Sequence, residues 1–110
     1  MKRFKSFHDF YPFYLSEHSH PICRLLHFVG TLLIIIVPVA TLITGKWVLL
    51  ISLPFIGYGF AWVGHFFFEK NRPATFTYPF YSLMGDWAMF KDILIGKVSI
   101  RPKGIFPDSP

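Results

Sequence analysis

"LLHFVGTLLIIIVPVATLITGKWVLLISLPFIGYGFAWVGHFFF", residues 25–68, decides the architecture. Leu25 to Gly45 and Trp47 to Phe68 contain no Asp, Glu, Lys or Arg, and each run exceeds the ~20 residues that span a bilayer core. No water at that depth can satisfy backbone N–H and C=O groups, so a helix is the expected form. The sequence predicts an all-α integral membrane protein whose transmembrane helices, 22–44 and 47–69, pack as an antiparallel hairpin.

Composition agrees. Across 110 residues, hydrophobic side chains make up 53% and charged ones only 15%, too few to coat a soluble domain, where about a quarter is usual. The length suits one domain, 1–110. The net charge of +5 does not signal nucleic acid, because no basic stripe is interleaved with surface aromatics. Of the eleven Lys and Arg residues, only Lys46 falls between the runs. The positive-inside rule then places both termini in the cytoplasm and Thr44-Gly45-Lys46 in a turn on the far side. The basic, aromatic start lacks a signal-sequence pattern. The membrane would be a bacterial inner membrane or the endoplasmic reticulum, depending on organism.

Flanking segments read as amphipathic cover on the cytoplasmic side. Over 4–17, Phe7, Phe10 or Tyr11, and Tyr14 recur at helical spacing, as in a helix lying at the headgroup level or covering the bundle's cytoplasmic end; Pro12 predicts a kink or a shorter helix. Over 79–95, Pro79 opens and Gly96 closes an amphipathic or partly inserted helix whose Asp86, Lys91 and Asp92 make a full crossing expensive. The tail, 97–110, reads as extended. So thin a bundle suits a homodimer.

Polar residues at membrane depth are candidates for function. His27 lies nineteen residues before Lys46 and His65 nineteen after it, so in a hairpin both sit ~28 Å from the turn, at one level. Gly57, Ala61 and Gly64 allow close helix approach. His18 and His27 would face opposite ways on one unbroken helix, but His20-Pro21 predicts a bend that lets both address one site. His18, His27 and His65 are thus candidate metal ligands, with His20, Glu69 and Asp86 as further ligands or as groups that orient an imidazole. Asp86 has a plainer reading as a partner for Arg72 or Lys91. Imidazoles with a carboxylate suit Fe(II), Zn or Cu; a lone Cys23 excludes a cysteine-rich zinc site and reads as packing. Arg24 and Arg72 either anchor helix ends in headgroups or grip a substrate carboxylate or phosphate. Trp62 and Phe66 are candidates to line an acyl chain.

"YLSEHSHPICRLLHFVGT", "AWVGHFFFEKNRPATF" and "SLMGDWAM" together resemble a family of small membrane proteins, formerly a domain of unknown function. It includes the fungal endoplasmic-reticulum dioxygenase of phytosphingosine breakdown. The likeness covers roughly Phe7 to Gly96. It implies Fe(II)-dependent alpha-oxidation, in which molecular oxygen shortens a 2-hydroxy fatty acid by one carbon without 2-oxoglutarate, and it carries ligand roles onto His18, His27, His65 and Glu69. His20 and Cys23 stand where relatives commonly show Asn. Two other readings remain from the residues: a haem or metal carrier with His27 and His65 as axial ligands, and a structural membrane protein whose histidines are only interfacial.

Overall fold

The computed structural model describes residues 4–101; among them the elements are helical throughout and no strand occurs. Helix α1, Phe7–Glu17, starts later than the expected residue 4 because Ser6 caps it, its hydroxyl accepting from the Asp9 N–H at 3.2 Å. The helix continues through Pro12. A bend at His18 to His20 follows. Helix α2, Pro21–Thr44, then begins with proline at its first position, where a missing N–H costs nothing. It ends at Gly45, which adopts a left-handed φ of 71°.

The second apolar run is not one continuous α-helix. It opens as a 3₁₀ turn at Trp47–Ile51, becomes α3 at Ser52–Val63, and closes as a π-helix at Gly64–Glu69. Pro54 explains the opening, since it has no N–H to give the Leu50 carbonyl in an α register. The Ser52 N–H turns back to Leu49 and Leu50 instead. The π segment ends where Lys70 takes a left-handed φ of 61°. A short 3₁₀ turn, Ala74–Phe76, leads to α4, Pro79–Leu94.

Helices α2 and α3 meet through small residues. Gly64 faces Cys23, Gly30 faces Phe60, and Gly57 faces Ile34. Residue numbers climb along one side of this contact and fall along the other. Both segments are long and apolar enough to cross a membrane. Their outer faces leave large side chains uncovered, including Leu42 at 73%, Ile43 at 79% and Phe55 at 74% exposure, which suits lipid and not water.

The aromatic stripe of α1 is packing rather than a lipid anchor. Phe10 and Tyr14 are fully buried, in a cluster with Ala74 and Met89. Two tyrosine–aspartate bonds fasten α1 to α4: Tyr14 donates to Asp86 at 2.5 Å and Tyr11 to Asp92 at 2.8 Å. Of the expected tail, Lys97 and Val98 turn back to donate to the Asp92 carbonyl, so this part is not extended. Residues 102–110 lie outside the described residues.

Gly85 permits the α1–α4 contact, because a Cβ there would lie 2.5 Å from the Tyr14 ring. Gly85→Ala should destabilise the protein by about 1–3 kcal/mol, read as a lower thermal unfolding midpoint in detergent. Gly59→Ala, where an added methyl meets nothing within 4 Å, should leave that midpoint unchanged or slightly raised.

Candidate metal centre

Three imidazoles from three segments converge. His18 comes from the bend after α1, His27 from the second turn of α2, and His65 from the π-helix. All three are buried, and one ligand atom from each lies within 4.8 Å of the others. Ring centroids are 4.4 Å apart for His18 with His27, 4.4 Å for His18 with His65, and 5.0 Å for His27 with His65, the rings standing close to mutually perpendicular. The two histidines placed at one level by counting do meet, and the bend at His20-Pro21 brings in the third.

Hydrogen bonding determines what these rings offer. His18 Nδ1 lies 2.6 Å from the Tyr14 carbonyl oxygen, His27 Nδ1 2.8 Å from the Cys23 carbonyl oxygen, and His65 Nδ1 2.7 Å from Asn71 Oδ1. Asn71 Nδ2 donates to the Glu17 carbonyl at 3.0 Å, which fixes the amide with its oxygen toward the imidazole. A carbonyl oxygen only accepts, so each Nδ1 is assigned the proton and each Nε2 is left with a bare lone pair. Between His18 and His65, two such Nε2 atoms stand 2.9 Å apart. Two lone pairs at that separation need a cation between them. Burial works against supplying it as a proton on His18, whose pKa is pushed well below the ordinary histidine value, chiefly by burial and further by His27 and His65. The donor set therefore fits a metal ion: three neutral imidazoles, each oriented by an acceptor on its other nitrogen.

The centre forms one end of a cavity of about 460 Å³, a size usual for small-molecule sites. Tyr14, Ser82 and Asp86 join the histidines around it, and the lining continues past Ala61 and Gly57 to Leu53 and Pro54. Twelve residues of helix separate Leu53 from His65, roughly 18 Å. Among the described residues no Lys or Arg lines the cavity.

A family model described as 2-hydroxy-palmitic acid dioxygenase Mpo1-like matches residues 4–98. The chain belongs to that family. No curated protein and no solved structure was found to match it. In this Mpo1-like protein several expected site residues stand elsewhere. His20 is a helix cap, its Nδ1 accepting from the Ile22 N–H at 3.1 Å. Glu69 is turned to the bend, where its carboxylate accepts from the His20 N–H and from Ser19 Oγ. Arg24 is buried, donates to the backbone carbonyls of His18, Ser99 and Leu15, and does not line the cavity. Arg72 is exposed and lies over the Phe76 ring at 4.9 Å. Trp62 lines the cavity, while Phe66 stands behind it and outside the lining.

Asp86 does reach the cavity, though its partner is Tyr14 and not Arg72 or Lys91. Burial pushes its carboxyl up to about 7, against the opposing pull of the Tyr14 hydroxyl. The haem alternative meets a steric obstacle. Bis-histidine ligation puts the macrocycle between two imidazoles, whereas the rings of His27 and His65 stand only 5.0 Å apart with His18 4.4 Å from each, a triangle with no room for it. Sequence reasoning missed Asn71 and Tyr14 as supports of the centre. The available signal for Asn71 was its place directly after the second apolar run, six residues from His65.

His18→Ala, His27→Ala and His65→Ala should each abolish stoichiometric metal, measured by elemental analysis of detergent-purified protein. Asn71→Leu should weaken binding roughly 10- to 100-fold, the usual effect of removing a ligand's hydrogen-bond acceptor. His20→Ala should keep the metal and cost about 1 kcal/mol of stability, as other lost helix caps do.

Proposed function

We propose that this chain is a membrane-embedded, Fe(II)-dependent dioxygenase that shortens 2-hydroxy fatty acids by one carbon. Three bare Nε2 atoms at one end of a largely apolar cavity, in a member of a family described by that activity, carry the reading. The helices α2 and α3 with its 3₁₀ and π ends cross the bilayer as a hairpin. Both termini are cytoplasmic, and Gly45-Lys46 lies on the far side.

In this reading His18, His27 and His65 would hold Fe(II), which would supply the activation of molecular oxygen. The acyl chain lies along Trp62, Ala61, Gly57 and Leu53, and so enters from the lipid. The carboxylate would be drawn to the histidine end, since no Lys or Arg among the described residues lines the rest of the wall. Burial of that end keeps bulk water from the reacting carbons. One O₂ converts a 2-hydroxy acid into the acid one carbon shorter, carbon dioxide and water, so no additional reductant is required.

Purified protein loaded anaerobically with Fe(II) should consume oxygen on addition of 2-hydroxypalmitate and release pentadecanoic acid, seen by mass spectrometry. His65→Ala should do neither. Iron-loaded wild-type protein that consumes no oxygen with any 2-hydroxy acid would rule out the proposed activity.

A further inference from the structure

Ser82 is the exception among buried polar side chains. It is 6% exposed, it lines the cavity, and its Oγ is the one buried side-chain atom without a hydrogen-bond partner among the described residues. An orphaned buried hydroxyl is costly, and a ligand that pairs with it recovers that cost. One helical turn later on the same face of α4, Asp86 also lines the cavity, its Oδ1 taken by Tyr14. Tyr14 in turn stacks on His18 with ring centroids 3.9 Å apart. Ser82 and Asp86 therefore form a polar patch one aromatic ring away from the histidines. The rest of the long cavity wall toward Leu53 and Pro54 is largely apolar.

We propose that Ser82 and Asp86 recognise the hydroxyl group of a hydroxylated acyl ligand and so separate it from an unsubstituted fatty acid. This rests on the function proposed above and adds the group that sets its selectivity. Charge decides which end of the ligand each wall takes. A ligand carboxylate beside Asp86 would set like charges together, with no Lys or Arg among the described lining residues to offset them. The carboxylate goes to the histidine side, and the neighbouring hydroxyl faces α4. There it donates to Asp86, which keeps an accepting oxygen whether or not it is protonated, while Ser82 Oγ donates to a ligand oxygen. An unsubstituted acid leaves the Ser82 hydroxyl unpaired and gives the second Asp86 oxygen nothing to accept, the situation that produces the strongest discrimination.

The test is competitive displacement of a fluorescent fatty acid from detergent-purified, metal-loaded protein by 2-hydroxypalmitate and by palmitate. Wild type should prefer the hydroxy acid by roughly 10-fold or more. Ser82→Ala should lose most of that preference while keeping its affinity for palmitate. Because this substitution removes an unpaired hydroxyl, its thermal midpoint should not fall, which separates recognition from folding. Asp86→Asn, which still accepts from Tyr14, should also lose the preference. If both variants keep the wild-type preference, the assignment to α4 is wrong while the proposed function stands. If wild-type protein binds both acids equally, this inference falls while the proposed function, read by oxygen uptake, stands; if it binds neither, the two fall together.

Discussion

Three carbonyl oxygens behind three imidazoles are the constraint on which this site depends. Tyr14 and Cys23 supply theirs from the backbone, four residues before His18 and His27. Such a contact comes from helical geometry and needs no particular residue at the acceptor position. His65 sits in a π-helix and takes its acceptor from the Asn71 side chain. The result is one protonation pattern at all three rings. Had any Nδ1 faced a donor, its Nε2 would carry hydrogen and the cluster would hold two ligands and an obstacle. The three neutral rings are costly to crowd together without an ion, and a bound ion would offset that cost.

The site also requires close packing at two glycines. Gly64 opens the π segment directly against Cys23, where a Cβ would lie 2.9 Å from the sulfur. That contact brings His65 to the level of His27 at the very end of the apolar run. Gly85 does the equivalent for α4, letting it lie on the Tyr14 ring. The π winding belongs to the same solution: π turns occur often at functional sites because the extra residue re-aims side chains. Pro54 and Gly64 thus shape the two ends of α3 differently, one tightening the helix and the other widening it.

Much of this was legible in sequence because it followed from counting. The apolar runs gave both long helices, and equal spacing about Lys46 brought His27 and His65 together. His20-Pro21 gave the bend that admits His18. The illegible part depended on side-chain direction. Glu69 had the same sequence credentials as a ligand as His65, yet the left-handed Lys70 and the end of the π-helix turn it toward the Ser19-His20 bend. Arg24 looked like an interfacial cation, and only the folded bend shows three carbonyls converging on it. The α1 aromatics have the spacing of a membrane anchor, and that spacing is identical in a helix that buries them against another helix. Periodicity identifies the face and leaves its partner open.

Glu69 and Arg24, neither of them at the ion, still explain how the site keeps its shape. His18 lies in the bend between two helices, where a ligand would ordinarily have the most freedom. Arg24 holds the His18 and Leu15 carbonyls from one side and reaches Ser99 beyond α4. Glu69 holds Ser19 and the His20 N–H from the other, joining the bend to the π-helix that carries His65. Each is a charged group partnered by several polar atoms, the condition under which a buried or half-buried charge contributes order. The ordering of the bend is thereby met by the fold before any ion arrives, so the ion's binding energy is not consumed in gathering its ligands. A ligand set drawn from three separate segments can behave as a preformed site only with ties of this kind, and here both ties close on the bend that carries His18.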